Sequence, residues 1–183
     1  MFSPARIKLY VWLSLASQIL IVVTGGAVRL TASGLGCPTW PKCTEDSITN
    51  VPEQGIHGFI EFANRLLTFV LILIALLTFI AILRSGKAKR KGMVWPSFSL
   101  GLGIIAQAII GGISVLTNLN PWVVGLHFIV SSVLISIASI LVWRFYKPEH
   151  QPVPYSVYLL TPWIALSGIV ALVVGVVVTG AGP

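Results

Sequence analysis

The chain has 183 residues, of which 56% are hydrophobic and 9% are charged, and its formal net charge is +7. A soluble domain carries about 25% charged residues, so the composition excludes an ordinary soluble enzyme or binding domain. A basic excess can indicate an acidic partner such as nucleic acid, and the positions of the charges decide between that partner and a membrane.

Apolar runs occupy most of the chain, and five of them reach the length of about 18 residues that a membrane-spanning helix requires. They cover residues 9–28, 66–83, 95–116, 122–143 and 155–178, and the second helix is expected to extend back to about residue 59. Long uninterrupted runs exclude a barrel, whose strands alternate. The sequence therefore predicts an all-α integral membrane protein: a four-helix transmembrane bundle plus a fifth transmembrane helix.

The charged residues alternate in sign along the links between these runs. Basic residues lie before the first run, between the second and third, and after the fourth, whereas the other links hold more acidic than basic side chains. This is the positive-inside pattern of membrane proteins. It predicts a cytoplasmic N-terminus, with the first link and the C-terminus extracytoplasmic, and it argues against a nucleic-acid partner.

The first link holds both cysteines, Cys37 and Cys43, in the stretch CPTWPKC. Disulfides persist on the extracytoplasmic side of a membrane, so this pair can close a small ring that its prolines stiffen. A structural disulfide and a reversible redox pair are both open interpretations. A zinc site is disfavoured, because no further cysteine and no close histidine completes a tetrahedral set.

Polar residues near the spans concentrate at the extracytoplasmic ends, and such groups in lipid usually pair with each other or serve a function. On the second span they share one helical face: His57, Glu61, Asn64, Arg65 and Thr68. On other spans the same depth holds Arg29 and His127, given a rise of about 1.5 Å per residue. The sequence predicts that these residues gather beside the cysteine pair.

Structural interpretations of the same residues also exist. Arg29 can extend its charge to the membrane surface, and Glu61 can form a helix-end ion pair with Arg65. His127 can be a hydrogen-bonded core histidine, and His57 can cap its helix in solvent. Two glutamines within spans, Gln18 and Gln107, can bond across helices.

Three stretches, TGGAVRLTASGLGCPTWPKC, IEFANR and LHF, occur in this order. Together they resemble the N-terminal half of the haem A synthase family, in its actinobacterial-like variant. The resemblance covers nearly the whole chain and implies a cytochrome oxidase assembly enzyme that oxidises the C8 methyl of haem O to a formyl group. It further implies that Glu61 is catalytic, that His127 binds the haem iron, and that Cys37 and Cys43 form a disulfide.

The second-span motif departs from this family, since Asn64 stands where many members have histidine. An amide is a poor iron ligand beside imidazole, so His127 is expected to bind the iron alone, with Asn64 as a pocket residue or second axial residue. His57 is the alternative, although it lies about 10 Å further out along the helix. Arg29 and Arg65 are our predicted partners for the haem propionates.

The tetrapeptide VVTG recurs at residues 22–25 and 177–180, at matching ends of the first and fifth spans. This is typical of an internal repeat, and the family's eight helices form two similar halves. We therefore expect residues 1–150 to form a four-helix haem-binding half and residues 151–183 to begin a second, incomplete half. Such a chain is a half-length protein, a truncated product or a fragment, and its fifth helix needs a partner, for which a second copy is one candidate.

A non-catalytic haem-binding or electron-transfer module is the main alternative to an enzyme, with haem b in place of haem O. The implied partners are haem O synthase, a quinone and cytochrome oxidase subunits. A small transporter is a weaker alternative, because no span is expected to be interrupted by proline and no charge lies at mid-membrane.

Overall fold

The computed structural model describes residues 3–86, 92–146 and 154–180. Within these ranges the long elements are all helices: α1 Pro4–Leu30, α2 Gly55–Leu83, α3 Val94–Leu116, α4 Pro121–Tyr146 and α5 Tyr155–Gly180. A short 3-10 turn, Pro52–Gln54, leads into α2. Each long helix is long and apolar enough to cross a membrane, which confirms the predicted all-helical membrane architecture.

Local sequence signals set the ends of the helices. At the start of α1, the hydroxyl of Ser3 caps the first turn and Pro4 takes the first helical position, where its missing N–H costs nothing. At its end, Ala32 adopts a φ of 53°, and the N–H of Ser33 donates to the carbonyl of Val28 at 2.8 Å. This is the closure of a Schellman cap. Such caps explain why α1 extends beyond its predicted apolar run.

The first four helices form a closed ring in which α1 packs on α2, α2 on α3, α3 on α4, and α4 on α1. Consequently α2 and α4 face each other across the centre of the bundle. A ligand held between these two helices would lie in the interior of the bundle.

One end of the ring, where α1 begins and α2 ends, is filled by apolar side chains. We call this cluster the packed end, and its buried members are Ile7, Val11, Ala81, Ile82, Met93, Leu100, Leu134, Ala138 and Leu141. A smaller cluster of Leu71, Ala75 and Ile104 lies nearer the middle. The opposite end, which the link between α1 and α2 covers, is called the loop end. Among the described residues it has no such apolar cluster, so other contacts must hold it together.

α5 lies outside the ring and packs on α4. The two helices approach closely at Gly125, where an added Cβ would lie 2.5 Å from a methyl of Val176. Pro162 lies inside α5, and the helix continues through it from Tyr155 to Gly180, so this proline does not interrupt the span. The predicted domain boundary at residue 150 lies outside the described residues.

Candidate functional site

The link between α1 and α2 folds back onto the loop end as a small covalent ring. Cys37 and Cys43 form a disulfide with their Cα atoms 4.4 Å apart, and both residues are fully buried. We call residues 37–43 the cysteine ring. Gly36 brings this ring close to α2, since a Cβ at that position would overlap the backbone of His57. The cysteine ring is therefore seated directly on the first turns of α2.

Arg65 on α2 holds the cysteine ring through hydrogen bonds to its backbone carbonyls. Its Nη1 donates to the carbonyls of Thr39 at 2.9 Å and Lys42 at 3.0 Å, and its Nη2 donates to the carbonyl of Cys37 at 2.7 Å. Its Nε and Nη2 also donate to Oε1 of Glu61, at 3.1 and 2.5 Å. A guanidinium has only five donors, and all are engaged. A propionate contact by Arg65 would require one of these bonds to open.

Glu61 completes the same network from one helical turn away. It is only 5% exposed, and its Oε2 accepts the backbone N–H of Cys37 at 2.7 Å while Oε1 takes the ion pair with Arg65. A buried carboxylate is tolerated when it is paired and hydrogen-bonded in this way. Glu61 thus bonds to the cysteine ring directly through Oε2, and through Oε1 it holds Arg65, which binds the same ring.

Trp40, at the tip of the cysteine ring, reaches the neighbouring helix α3. Its indole lies against Gly112, where an added Cβ would overlap the five-membered ring of the indole. Glycine at this position leaves the space that the indole fills. The cysteine ring therefore bridges α2 and α3 and closes the loop end between them.

The other predicted site residues on α1 and α2 have different partners. Asn64 accepts a hydrogen bond on Oδ1 from the hydroxyl of Thr24 on α1, at 2.7 Å. His57 Nδ1 lies 2.9 Å from the hydroxyl of Ser33, and Arg29 is exposed at the end of α1. The single polar face predicted for α2 is therefore divided between the cysteine ring, α1 and the link.

His127 lies on α4, which faces α2 across the four-helix bundle, and its imidazole contacts α3. A Cβ added to Gly111 would lie 3.3 Å from its Cε1. The Nδ1 of His127 is buried and has no hydrogen-bond partner among the residues described, whereas buried polar atoms are normally paired. This nitrogen therefore does not fit the interpretation of His127 as a hydrogen-bonded core histidine.

Gln107 on α3 contacts the same histidine and was predicted only as an interhelical hydrogen-bonding residue. Its Nε2 donates to the backbone carbonyl of His127 at 2.9 Å and to Oγ of Ser131 at 2.5 Å, which confirms the bond across helices. Its Oε1 is buried and also lacks a partner in the described part of the chain. In the sequence, Gln107 lies four residues before Gly111 and so shares its helical face. This spacing is the signal that could have linked Gln107 to His127.

The residues around His127 fit a haem better than a bare metal ion. Across the described ranges, no three His, Cys, Asp or Glu side chains lie close enough to hold a metal ion. Haem iron takes its in-plane ligands from the porphyrin and needs only an axial imidazole from the protein. The unpartnered His127, on a helix that faces α2 across the interior, can supply that imidazole.

Several curated proteins are similar to this chain. The heme A synthase of Lysinibacillus sphaericus is 36% identical over 135 residues, which cover 71% of this chain and 42% of that protein. The heme A synthase of Staphylococcus saprophyticus is 29% identical over 181 residues, or 95% of this chain and 57% of that protein. That of Geobacillus thermodenitrificans is 26% identical over 159 residues, or 82% and 48%.

The chain thus spans about half the length of the curated relatives it matches. No solved structure matches it significantly. The family model COX15-CtaA, described as cytochrome oxidase assembly protein, matches residues 8–182, which is nearly the whole chain and all of its long helices but the first residues of α1. The chain therefore belongs to the COX15-CtaA family of cytochrome oxidase assembly proteins.

Proposed function

We propose that this chain binds haem O through His127 and takes part in oxidising the C8 methyl of haem O to a formyl group, which gives haem A. The observation that carries the proposal is the buried, unpartnered Nδ1 of His127, on a helix that faces α2 across the bundle. The relatives named heme A synthase supply the substrate class. When bound, the haem supplies the redox-active iron and macrocycle; the protein supplies ligand, orientation and charge.

Asn64 serves this function as a pocket residue rather than as a second iron ligand. Its Oδ1 accepts from the hydroxyl of Thr24 at 2.7 Å, which directs the amide oxygen toward α1, and an amide is a poor iron ligand beside imidazole. Its NH2 group can only donate hydrogen bonds. His57 lies about 10 Å further out along α2 than Asn64, so we propose His127 as the single protein ligand of the substrate haem.

Glu61 serves as a fixed negative charge. The donors around it, the N–H of Cys37 and the guanidinium of Arg65, are the partners that an ionised carboxylate accepts. Such a charge can stabilise the cation that develops on a methyl carbon during its oxidation. Arg29, which is exposed at the same end of the bundle, remains our proposed partner for a propionate.

Conversion of a methyl to a formyl group, R–CH3 + H2O → R–CHO + 4 H+ + 4 e−, takes one oxygen atom from water and withdraws four electrons from the carbon, so an acceptor is required, and a two-electron acceptor is reduced twice. We propose a membrane quinone rather than the disulfide. Cys37 and Cys43 are both 0% exposed, and Arg65 and Glu61 cover the backbone around them, whereas disulfide exchange requires access to sulfur. The disulfide is then a structural element that seats the cysteine ring.

The arrangement in the membrane follows the charge pattern. We propose that the loop end faces the extracytoplasmic side and that the packed end faces the cytoplasm. Haem O synthase and cytochrome oxidase subunits are the proposed supplier and recipient of the haem, and the exposed α5 is a surface for a second copy or another partner. The orientation is tested by fusing a reporter enzyme that is active only outside the cytoplasm, either after residue 50 or after residue 86. The fusion after residue 50 should be active, and the fusion after residue 86 should be inactive.

The binding proposal is tested by the absorption spectrum of the purified chain. The pyridine haemochrome of the wild-type protein should show bound haem, and His127→Ala should lose the Soret band. His57→Ala is the matched control, because His57 lies about 10 Å further out along α2 than Asn64, and it should keep the band. A Soret band that is unchanged in His127→Ala overturns the proposal.

The catalytic assignment needs a comparison of two variants, because Glu61 also anchors the cysteine ring. Glu61→Gln should retain haem and lose formyl formation. Arg65→Met breaks the same ion pair but leaves the carboxylate, so it should retain measurable product at reduced yield. Equal loss of product in both variants would assign Glu61 to ring anchoring alone. Extracted haems separated by reversed-phase chromatography provide the measurement.

The alternative is a haem carrier without catalysis, and it is favoured by one observation: both oxygens of Glu61 and every donor of Arg65 are already engaged in seating the cysteine ring. A carrier should purify with haem b or unmodified haem O and give no formyl product when haem O and a quinone are supplied. An enzyme should give haem A under the same conditions.

A further inference from the structure

Where α3 packs on α4, two buried polar atoms lack hydrogen-bond partners in the described part of the chain. They are Nδ1 of His127 and Oε1 of Gln107. An unpartnered buried polar atom costs about 1–3 kcal/mol, and here two occur together. One is an acceptor, and the other is a donor when the imidazole carries its proton on Nδ1. The two atoms are therefore chemically complementary.

The amide of Gln107 is held in one orientation against His127. Its Nε2 donates to the carbonyl of His127 at 2.9 Å and to Oγ of Ser131 at 2.5 Å, and that hydroxyl donates to the same carbonyl at 2.9 Å. A flipped amide would place Oε1 against the carbonyl oxygen, acceptor against acceptor. Gln107 is therefore fixed with its Oε1 directed away from that carbonyl.

The imidazole of His127 contacts α3 one helical turn after Gln107, on the same face of that helix. Its Cε1 is 3.3 Å and its Nδ1 3.9 Å from the Cβ position at Gly111, the residue four positions after Gln107. Because Gly111 has no side chain, the imidazole has room to turn about its own torsions. A larger residue there would fix the ring or displace it.

We infer that Gln107 is a positioning residue for His127: its Oε1 accepts the Nδ1–H of the imidazole and thereby leaves Nε2 for the haem iron. Iron-bound histidines generally donate their second nitrogen to an oxygen acceptor, which fixes the tautomer and makes the ligand more basic. The two atoms do not bond in this structure, so the inference requires the imidazole to turn toward Oε1. This inference rests on the proposed ligation of haem by His127.

The test changes the acceptor strength at Gln107 and measures the reduction potential of the bound haem. Gln107→Glu provides a stronger acceptor, which makes the imidazole a stronger donor to ferric iron, so the potential should fall. Gln107→Leu removes the acceptor, so the potential should rise and haem affinity should decrease about 10–100-fold. A role in packing alone would not shift the two potentials in opposite directions.

Gln18→Leu is the matched control, since Gln18 is a glutamine on α1 that is 4% exposed and makes no hydrogen bond to His127. It should leave the potential unchanged. If His127→Ala keeps its Soret band, the proposed function fails. If that variant loses the band but Gln107→Glu does not lower the potential, only the present inference fails. Where Gln107→Leu binds too little haem for its potential to be measured, Gln107→Glu alone decides the test.

Discussion

The two ends of the four-helix ring are held together by different interactions. The packed end is a cluster of nine buried apolar residues, and its stability comes from close packing. The loop end has a disulfide, a buried ion pair between Glu61 and Arg65, and two buried atoms that lack hydrogen-bond partners among the described residues. Local rules of packing and hydrogen bonding are satisfied at one end and broken at the other, and such exceptions concentrate at functional sites.

The largest effect is expected from a cavity in the packed end. Ile82 is 0% exposed, and Ile82→Ala should lower the free energy of unfolding by about 2–5 kcal/mol, because the lost contacts are only partly replaced by relaxation. Unfolding in mixed micelles with increasing denaturing detergent measures this change. Haem affinity should stay near the wild-type value, since the cavity lies at the other end.

The matched control for this cavity is Leu76→Ala on the same helix, where the side chain is 52% exposed. Its effect on the free energy of unfolding should stay within about 0.5 kcal/mol. A comparable loss of stability in both variants would show that the packed end is not the stabilising end.

The next effect concerns the disulfide at the loop end. Replacing both Cys37 and Cys43 by alanine should cost about 2 kcal/mol, because the closed loop is short and its entropic contribution is correspondingly small. If the pair is structural, the double variant with haem O and quinone should still form product. Complete loss of product together with normal haem content and normal stability would instead assign the pair a redox role.

The membrane spans were predictable because a helix in lipid needs a long apolar run, and α3 and α4 begin within one residue of the predicted positions. The disulfide was predictable from two cysteines in a link that the charge pattern assigns to the extracytoplasmic side, and from the family resemblance. The partners of α2 were not. The polar stripe on α2 meets α1, the cysteine ring and the link, so sequence periodicity alone did not assign Asn64 to Thr24 or three of Arg65's five donors to the cysteine ring.

A smaller effect should follow from filling the space beneath Trp40. Gly112→Ala places a Cβ where the indole lies, and the cost should be about 1 kcal/mol, at the low end for overpacking because a loop residue can move. Gly101→Ala on the same helix is the control, since nothing lies within 4 Å of its added Cβ, and it should not destabilise the protein. Faster protease cleavage within residues 37–43 in Gly112→Ala alone would show that the indole seats the ring.

The smallest effect is expected midway between the two ends, where Ser14 and Thr78 share a hydrogen bond of 2.9 Å between α1 and α2. Thr78→Val keeps the shape and removes the hydroxyl, and bonds of this kind in membranes contribute about 0.6 kcal/mol. Ser132→Ala is the control, because the hydroxyl of Ser132 bonds only within its own helix, to the carbonyl of Phe128. A loss above about 2 kcal/mol in Thr78→Val would mean that polar contacts stabilise the centre of the bundle as strongly as apolar packing stabilises its packed end. The two ends would then differ in composition rather than in stability.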